Sequence, residues 1–148
     1  ISHLLVTTKA YDARAAVSSV AHLLREGCNV VLLVNGMGLA EQLEADLPHL
    51  AIHCGTSTEG AYRLAARQVV HAGRGETRIG RQGQRVPAPW FAPWARAVVP
   101  SVWDAEIETA QWIKLAVNCV INPLTAVNAC PNGALAQRPG LASQVTAL

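Results

Sequence analysis

The stretch "NVVLLVNGMGLAEQLEAD", residues 29–46, decides how the chain folds. Its unbroken apolar run, Val30 to Val34, is short and valine-rich, which reads as a strand buried on both faces. Asn35-Gly36 then breaks the run, because Asn-Gly is a favoured turn pair. A short helix follows, expected at roughly Ala40 to Ala45. The same grammar stands on either side. Upstream, Leu4–Thr8 reads as another buried strand. After it, Tyr11–Arg25 carries Ala16, Val20, Leu23 and Leu24 at helical steps, with Gly27 as its stop. Downstream, a third strand is expected near Ile52 to Thr56. Strand–helix–strand–helix–strand alternation predicts an α/β fold, a parallel sheet with covering helices.

From Gln68 the pattern changes. "QVVHAGRGETRIG" (68–80) reads as two short strands around a glycine-rich turn, an antiparallel hairpin appended to the sheet. Gly73, Gly75 and Gly80 lie between strands and not before a helix, so they do not make a phosphate loop. The Pro- and Trp-rich stretch 81–103 reads as a loop, a short helix and a last strand near Val98 to Trp103. Asp104 can cap the long helix that follows, whose packing side is Ile107, Ala110, Trp112 and Ile113. A domain boundary is therefore expected there, with residues 1–103 forming a sheet domain and 104–148 the start of an all-helical one.

Composition narrows the function. The 148 residues are 51% hydrophobic and 15% charged, a globular balance and not a disordered one. A formal charge of +2 is too small and too scattered for a nucleic-acid groove or an anionic membrane partner. No apolar run is long enough for a bilayer span, and no charged-then-oily leader opens the sequence. Cys28, Cys54, Cys119 and Cys130 form no CxxC pair, so free thiols in a reducing cytoplasm are expected, with no metal site. Ile1 leads straight into a strand-like run, as a piece of a longer protein would.

The helical part carries the chemistry. In "WIKLAVNCVINPLTAVNACPNG" (112–133), Lys114, Asn118 and Asn122 stand four residues apart among Ile, Leu, Val and Cys. Steps of four and eight residues drift by only roughly 40° and 80° around a helix, so the three share one face. A lysine can snorkel to water. Two mid-helix asparagines, however, have poor propensity and are tolerated where their amides are used. Pro123 removes a backbone donor and is expected to kink the helix at Asn122. The result is a polar wall of one ammonium and two amides. Lys9 and Asn35 face it from the sheet part, at carboxyl ends of strands, where open α/β sheets bind ligands.

The blocks "LLVTTKAYD" (4–12), "LLVNGMG" (32–38), "HCGTSTEGAY" (53–62), "HAGRGETRIG" (71–80) and "WIKLAVNCVINPLTAV" with "PNG" (112–133) resemble, in order, those of the ketopantoate reductases (2-dehydropantoate 2-reductases). The lysine–asparagine–asparagine–proline block is the most specific of them. The resemblance implies the C-terminal part of a Rossmann-like, NADP-binding domain lacking its first βαβ unit (1–103), then the start of the helical substrate and catalytic domain (104–148). It implies reduction of 2-dehydropantoate to pantoate with NADPH, in pantothenate biosynthesis. Lys114 would be the catalytic acid, and Asn35, Asn118, Asn122 and Asn132 would bind substrate. Lys9, Asn35 and the backbone around Ala61 would contact the cofactor. The family's GxGxxG loop and 2′-phosphate-reading arginine would precede Ile1, and its later serine and glutamate would follow Leu148. The isolated stretch is therefore expected to be inactive and to bind NADPH weakly.

Two other readings stay open. One is a reductase of a different 2-keto acid with the same fold. The other is a truncated, inactive binding or oligomerisation module. Without its first strands a parallel sheet has an open edge, so self-association into a homo-oligomer is also expected.

Overall fold

The structure, a computed structural model, describes residues 1–147. The chain divides into two compact units, Ile1–Gln111 and Trp112–Leu148.

The first unit is built on β1 (His3–Val6), β2 (Asn29–Leu32), β3 (Ala51–Ser57), β6 (Thr77–Gly80) and β7 (Ser101–Trp103), hydrogen-bonded in the order β1-β2-β3-β6-β7. The pairs β1–β2 and β2–β3 are parallel, with Leu5 beside Val31 and Val31 beside His53. Strand β6 runs antiparallel to β3, and β7 runs parallel to β6. Successive side chains of a strand alternate faces, which divides the core in two. One face, with Val6, Val30, Leu32 and Ile52, is covered by α1 (Ala10–Val20) and α2 (Leu39–Asp46). These are helices because Ala13 and Val17 recur at helical spacing, and because Leu43 anchors the short α2 with no exposed surface. Truncating such a leucine costs about 2–5 kcal/mol.

The opposite face holds Val31, Ile79 and Phe91, with Trp90, Trp94 and Trp103 packed against them beneath α3 (Phe91–Ala97). A polar tie crosses this aromatic layer. The Trp90 indole N–H donates to Asn29 Oδ1 at 3.0 Å, and His53 Nε2 lies 3.0 Å from the same oxygen. An oxygen that already accepts from an indole can only accept again, so His53 Nε2 carries the proton and Nδ1 is a bare acceptor. His53 is buried, and among the described residues no group pairs with that Nδ1.

The expected hairpin is differently made. Strands β4 (Gly60–Ala65) and β5 (Gln68–Gly73) pair with each other as a separate antiparallel arm, and β6 joins the main sheet beside β3. The tight turn falls at Ala66-Arg67, where Arg67 takes a φ of 65°. The glycines expected to form the turn serve a close crossing. A Cβ on Gly75 would lie 2.3 Å from the Thr58 carbonyl carbon, so only glycine lets the two ends of the arm meet. Glu76 and Thr58 close that base with backbone and hydroxyl hydrogen bonds of 3.0 and 2.9 Å.

The second unit continues α4 (Ile107–Val127), which begins in the first, and adds α5 (Asn132–Gln137) and α6 (Pro139–Ala147). Asp104, expected to cap α4, sits in the turn before the helix, which begins at Ile107. Its Oδ1 accepts from the Glu106 N–H at 2.9 Å, while Oδ2 takes the Arg78 guanidinium at 3.2 Å. The helix runs through Pro123 to Val127 as one element.

Candidate active site

Two cavities open beside the Asn35–Gly38 turn, and their charges differ. The first, about 230 Å³, is lined by Thr7, Thr8, Lys9, Ala10, Leu33, Val34 and Asn35. Strand β1 ends at Val6 and β2 at Leu32, so these residues are the first beyond the carboxyl ends of two adjacent parallel strands. Lys9 sits in extended backbone (φ −66°, ψ 148°) directly before α1, whose first turn has no side-chain cap. Helix starts of that kind favour anions. No carboxylate lines this cavity. Arg14 pairs with Asp46, Arg78 with Glu76 and Asp104, and Arg81 with Glu44. Lys9, in contrast, has no carboxylate within salt-bridge distance among the described residues. The sequence expectation that Lys9 and Asn35 share the ligand-binding rim of the sheet thus corresponds to one cavity lined by both.

The second cavity, about 220 Å³, lies under Gly36, Met37 and Gly38 and is acidic. Glu41, Glu44 and Glu108 line it with a single guanidinium, Arg81, which Glu44 already holds at 3.2 Å. Its field is felt at Cys54, whose thiol is pushed up to about 11 by burial and by those three carboxylates. The acidic lining here contrasts with the cavity next door, which carries an ammonium and no carboxylate.

The remaining expected site residues are carried by β4, α4 and α5. Ala61 is exposed on β4, opposite His71 in the arm. On α4, Lys114 and Asn118 are half-buried, and burial holds the Lys114 ammonium below the usual lysine range. Asn122 is exposed, and its backbone carbonyl accepts the Thr125 hydroxyl at 2.9 Å. Asn132 is exposed at the first position of α5. Sequence reasoning passed over Thr7 and Thr8 by reading them as strand. The signal was there: two hydroxyls and an ammonium immediately after an apolar run. No described helix is long and apolar enough to cross a membrane. Among the described residues no group of three or more His, Cys, Asp or Glu could hold a metal ion.

A mostly parallel sheet with a cavity at its carboxyl rim, leading into a helical unit, defines a Rossmann-like α/β protein. Comparison with known proteins makes the assignment specific. The ketopantoate reductase PanE/ApbA profile matches residues 1–84, and the C-terminal profile of the same family matches residues 106–148. The chain belongs to the ketopantoate reductase PanE/ApbA family. It is 38% identical over 142 residues to the 2-dehydropantoate 2-reductase of Vibrio cholerae, covering 89% of this chain and 45% of that protein. The crystal structure of a PanE/ApbA family ketopantoate reductase from Ralstonia eutropha superposes with a TM-score of 0.78 at 26% identity, over 98% of this chain and 48% of the other. A D-mandelate dehydrogenase complexed with NADH shares the fold, with a TM-score of 0.84 at 20% identity over 98% of this chain and 50% of the other. The chain thus spans about half the length of the relatives it matches.

Proposed function

We propose that this chain is part of a cytoplasmic, NADPH-dependent 2-dehydropantoate 2-reductase. Residues 1–103 belong to its dinucleotide-binding domain, and residues 104–148 begin its helical catalytic domain. The observation that carries the reading is the cavity of Lys9 and Asn35. It is polar, free of carboxylates and set on the carboxyl rim of a parallel sheet. At about 230 Å³ it fits a sugar–phosphate fragment and not a whole dinucleotide. Family membership supplies the rest, and four free cysteines suit a reducing compartment.

Bound reduced nicotinamide would supply the hydride. Lys9, Asn35 and the backbone at Ala61 hold the cofactor in this reading. Asn118, Asn122 and Asn132 orient the substrate's carboxylate and hydroxyl, because carboxamides offer donor and acceptor without adding charge. Lys114 neutralises the charge that develops on the ketone oxygen and delivers its proton. Burial suits it to that role, since a lowered pKa makes the ammonium a readier donor.

The test is oxidation of NADPH by the protein carrying this sequence, with 2-dehydropantoate and a panel of other 2-keto acids, and pantoate identified by mass spectrometry. Turnover fastest with 2-dehydropantoate is expected. Turnover confined to another keto acid would move the protein to a sister activity, and none at all would remove the reductase reading.

A further inference from the structure

The start of α4 is fastened to the sheet at several points. Asp104, just before it, crosses Gly80 so tightly that a Cβ there would lie 1.7 Å from the Asp104 carbonyl oxygen. The Gly83 N–H donates to the Ala105 carbonyl at 2.8 Å. The Gln82 carboxamide spans the helix start. Its nitrogen donates to a Glu106 carboxylate oxygen at 3.2 Å, and its oxygen accepts the Glu108 N–H at 3.4 Å. Ile107 is fully buried, and one turn on the Gln111 side chain hydrogen-bonds the Cys54 thiol of β3. Ile107, Gln111 and Cys54 all line the acidic cavity, whose wall is thus the seat of the helix.

The seated face continues along the helix, which runs unbroken from Ile107 to Val127. A step of seven residues returns to within roughly 20° of its starting direction. Lys114 stands seven residues after Ile107, and Asn118 seven after Gln111. The stripe locked into the cavity wall is therefore the stripe that carries the ammonium and the first amide. Any roll of α4 at Gln111 is a roll of Lys114 too. Apolar packing of Ile107 is non-directional and leaves that roll loose, whereas a hydrogen bond is directional and fixes it.

We infer that Gln111 is a positioning residue for Lys114, its hydrogen bond to Cys54 fixing the roll of α4 and so the direction of the ammonium. The catalytic consequence rests on the reductase reading; the geometric one rests on the fold. A carboxamide suits the place, because Glu41, Glu44 and Glu108 already crowd the cavity and a fourth carboxylate would be pushed out of its wall.

Lys9 and Lys114 are the only lysines of the sequence. Isotope-labelled lysine therefore gives one NMR signal for each, and a pH titration reads Lys114 directly, with or without turnover. Gln111→Leu, Cys54→Ala and Cys54→Ser are compared with wild type in the protein carrying this sequence, with circular dichroism to confirm folding. In Gln111→Leu and Cys54→Ala the Lys114 midpoint is expected to rise from its burial-lowered position towards the ordinary 10.5, while the Lys9 signal titrates as in wild type. In the same two variants kcat for the keto acid falls by about tenfold or more, the scale of a displaced catalytic group, with KM for NADPH unchanged. Cys54→Ser, which keeps a hydrogen-bonding group, matches wild type in both readings. Folded Gln111→Leu and Cys54→Ala variants in which the Lys114 midpoint or kcat stays at the wild-type value would overturn the inference and leave the reductase reading standing. Wild type without turnover would remove the reductase reading, and a moved midpoint would then still support the positioning of Lys114.

Discussion

Lys9 and Asn35, twenty-six residues apart in sequence, line the same cavity because each is among the first residues beyond the end of one of two neighbouring parallel strands. The chain brings a cation and an amide together there with no carboxylate in the lining. Lys9→Ala should therefore weaken NADPH more than Asn35→Ala does, and its effect should shrink as salt is added, because an exposed ammonium acts through a screened charge. Titration at two ionic strengths checks this. Equal losses that ignore salt would mean Lys9 does not meet an anionic group.

Asn118 offers its amide from a half-buried position on α4. Asn118→Ala should raise the KM for the keto acid by roughly tenfold or more, the scale of a hydrogen bond to a charged group, with kcat little changed. Steady-state kinetics decide it. A loss confined to kcat would reassign Asn118 to the chemical step.

His53 sets a pH limit on folding. Burial, and secondarily the charge of Arg81, lowers its pKa from the ordinary 6.5 to about 4. The unfolded chain binds that proton more readily than the folded one below pH 6.5. Its stabilising contribution is thus complete above 6.5 and fades as the pH falls through about 4, by up to about 3 kcal/mol. Urea denaturation of wild type and His53→Leu across this window should give curves that differ in slope. Parallel curves would show that His53 is accessible to protons in the fold.

Strand β1 ends the sheet, and Leu5 within it is 47% exposed. An open edge beside apolar surface invites strand pairing between chains. Residues 1–148 should self-associate in light scattering, and Leu5→Lys should reduce it. A monomer at high concentration would contradict the expectation.

How much of this was legible in sequence follows from which residues report their own burial. Val30–Leu32 and Ile52 lie inside the sheet, and their apolar runs, the first broken at Asn35-Gly36, report both strands and the rim where Lys9 and Asn35 sit. The arm was misread because Tyr62, Leu64 and Val69 are all exposed, so no alternation of burial marks β4 or β5. Pairing decided there, and Gly75 imitates a turn while serving a backbone crossing. Helical spacing placed Lys114 and Asn118 in comparable, half-buried positions. It did not anticipate that Asn122 would be exposed. The cavity lined by Thr7 and Thr8 depends on where β1 stops, and strand ends are the least legible feature of an apolar run.

The central claim, that Lys114 supplies proton and charge to a ketone reduction, is tested most directly by kcat for NADPH-dependent reduction of 2-dehydropantoate by the protein carrying this sequence and by its Lys114→Ala variant. The account predicts a fall of about a hundredfold or more with the fold intact by circular dichroism. An unchanged kcat would contradict it.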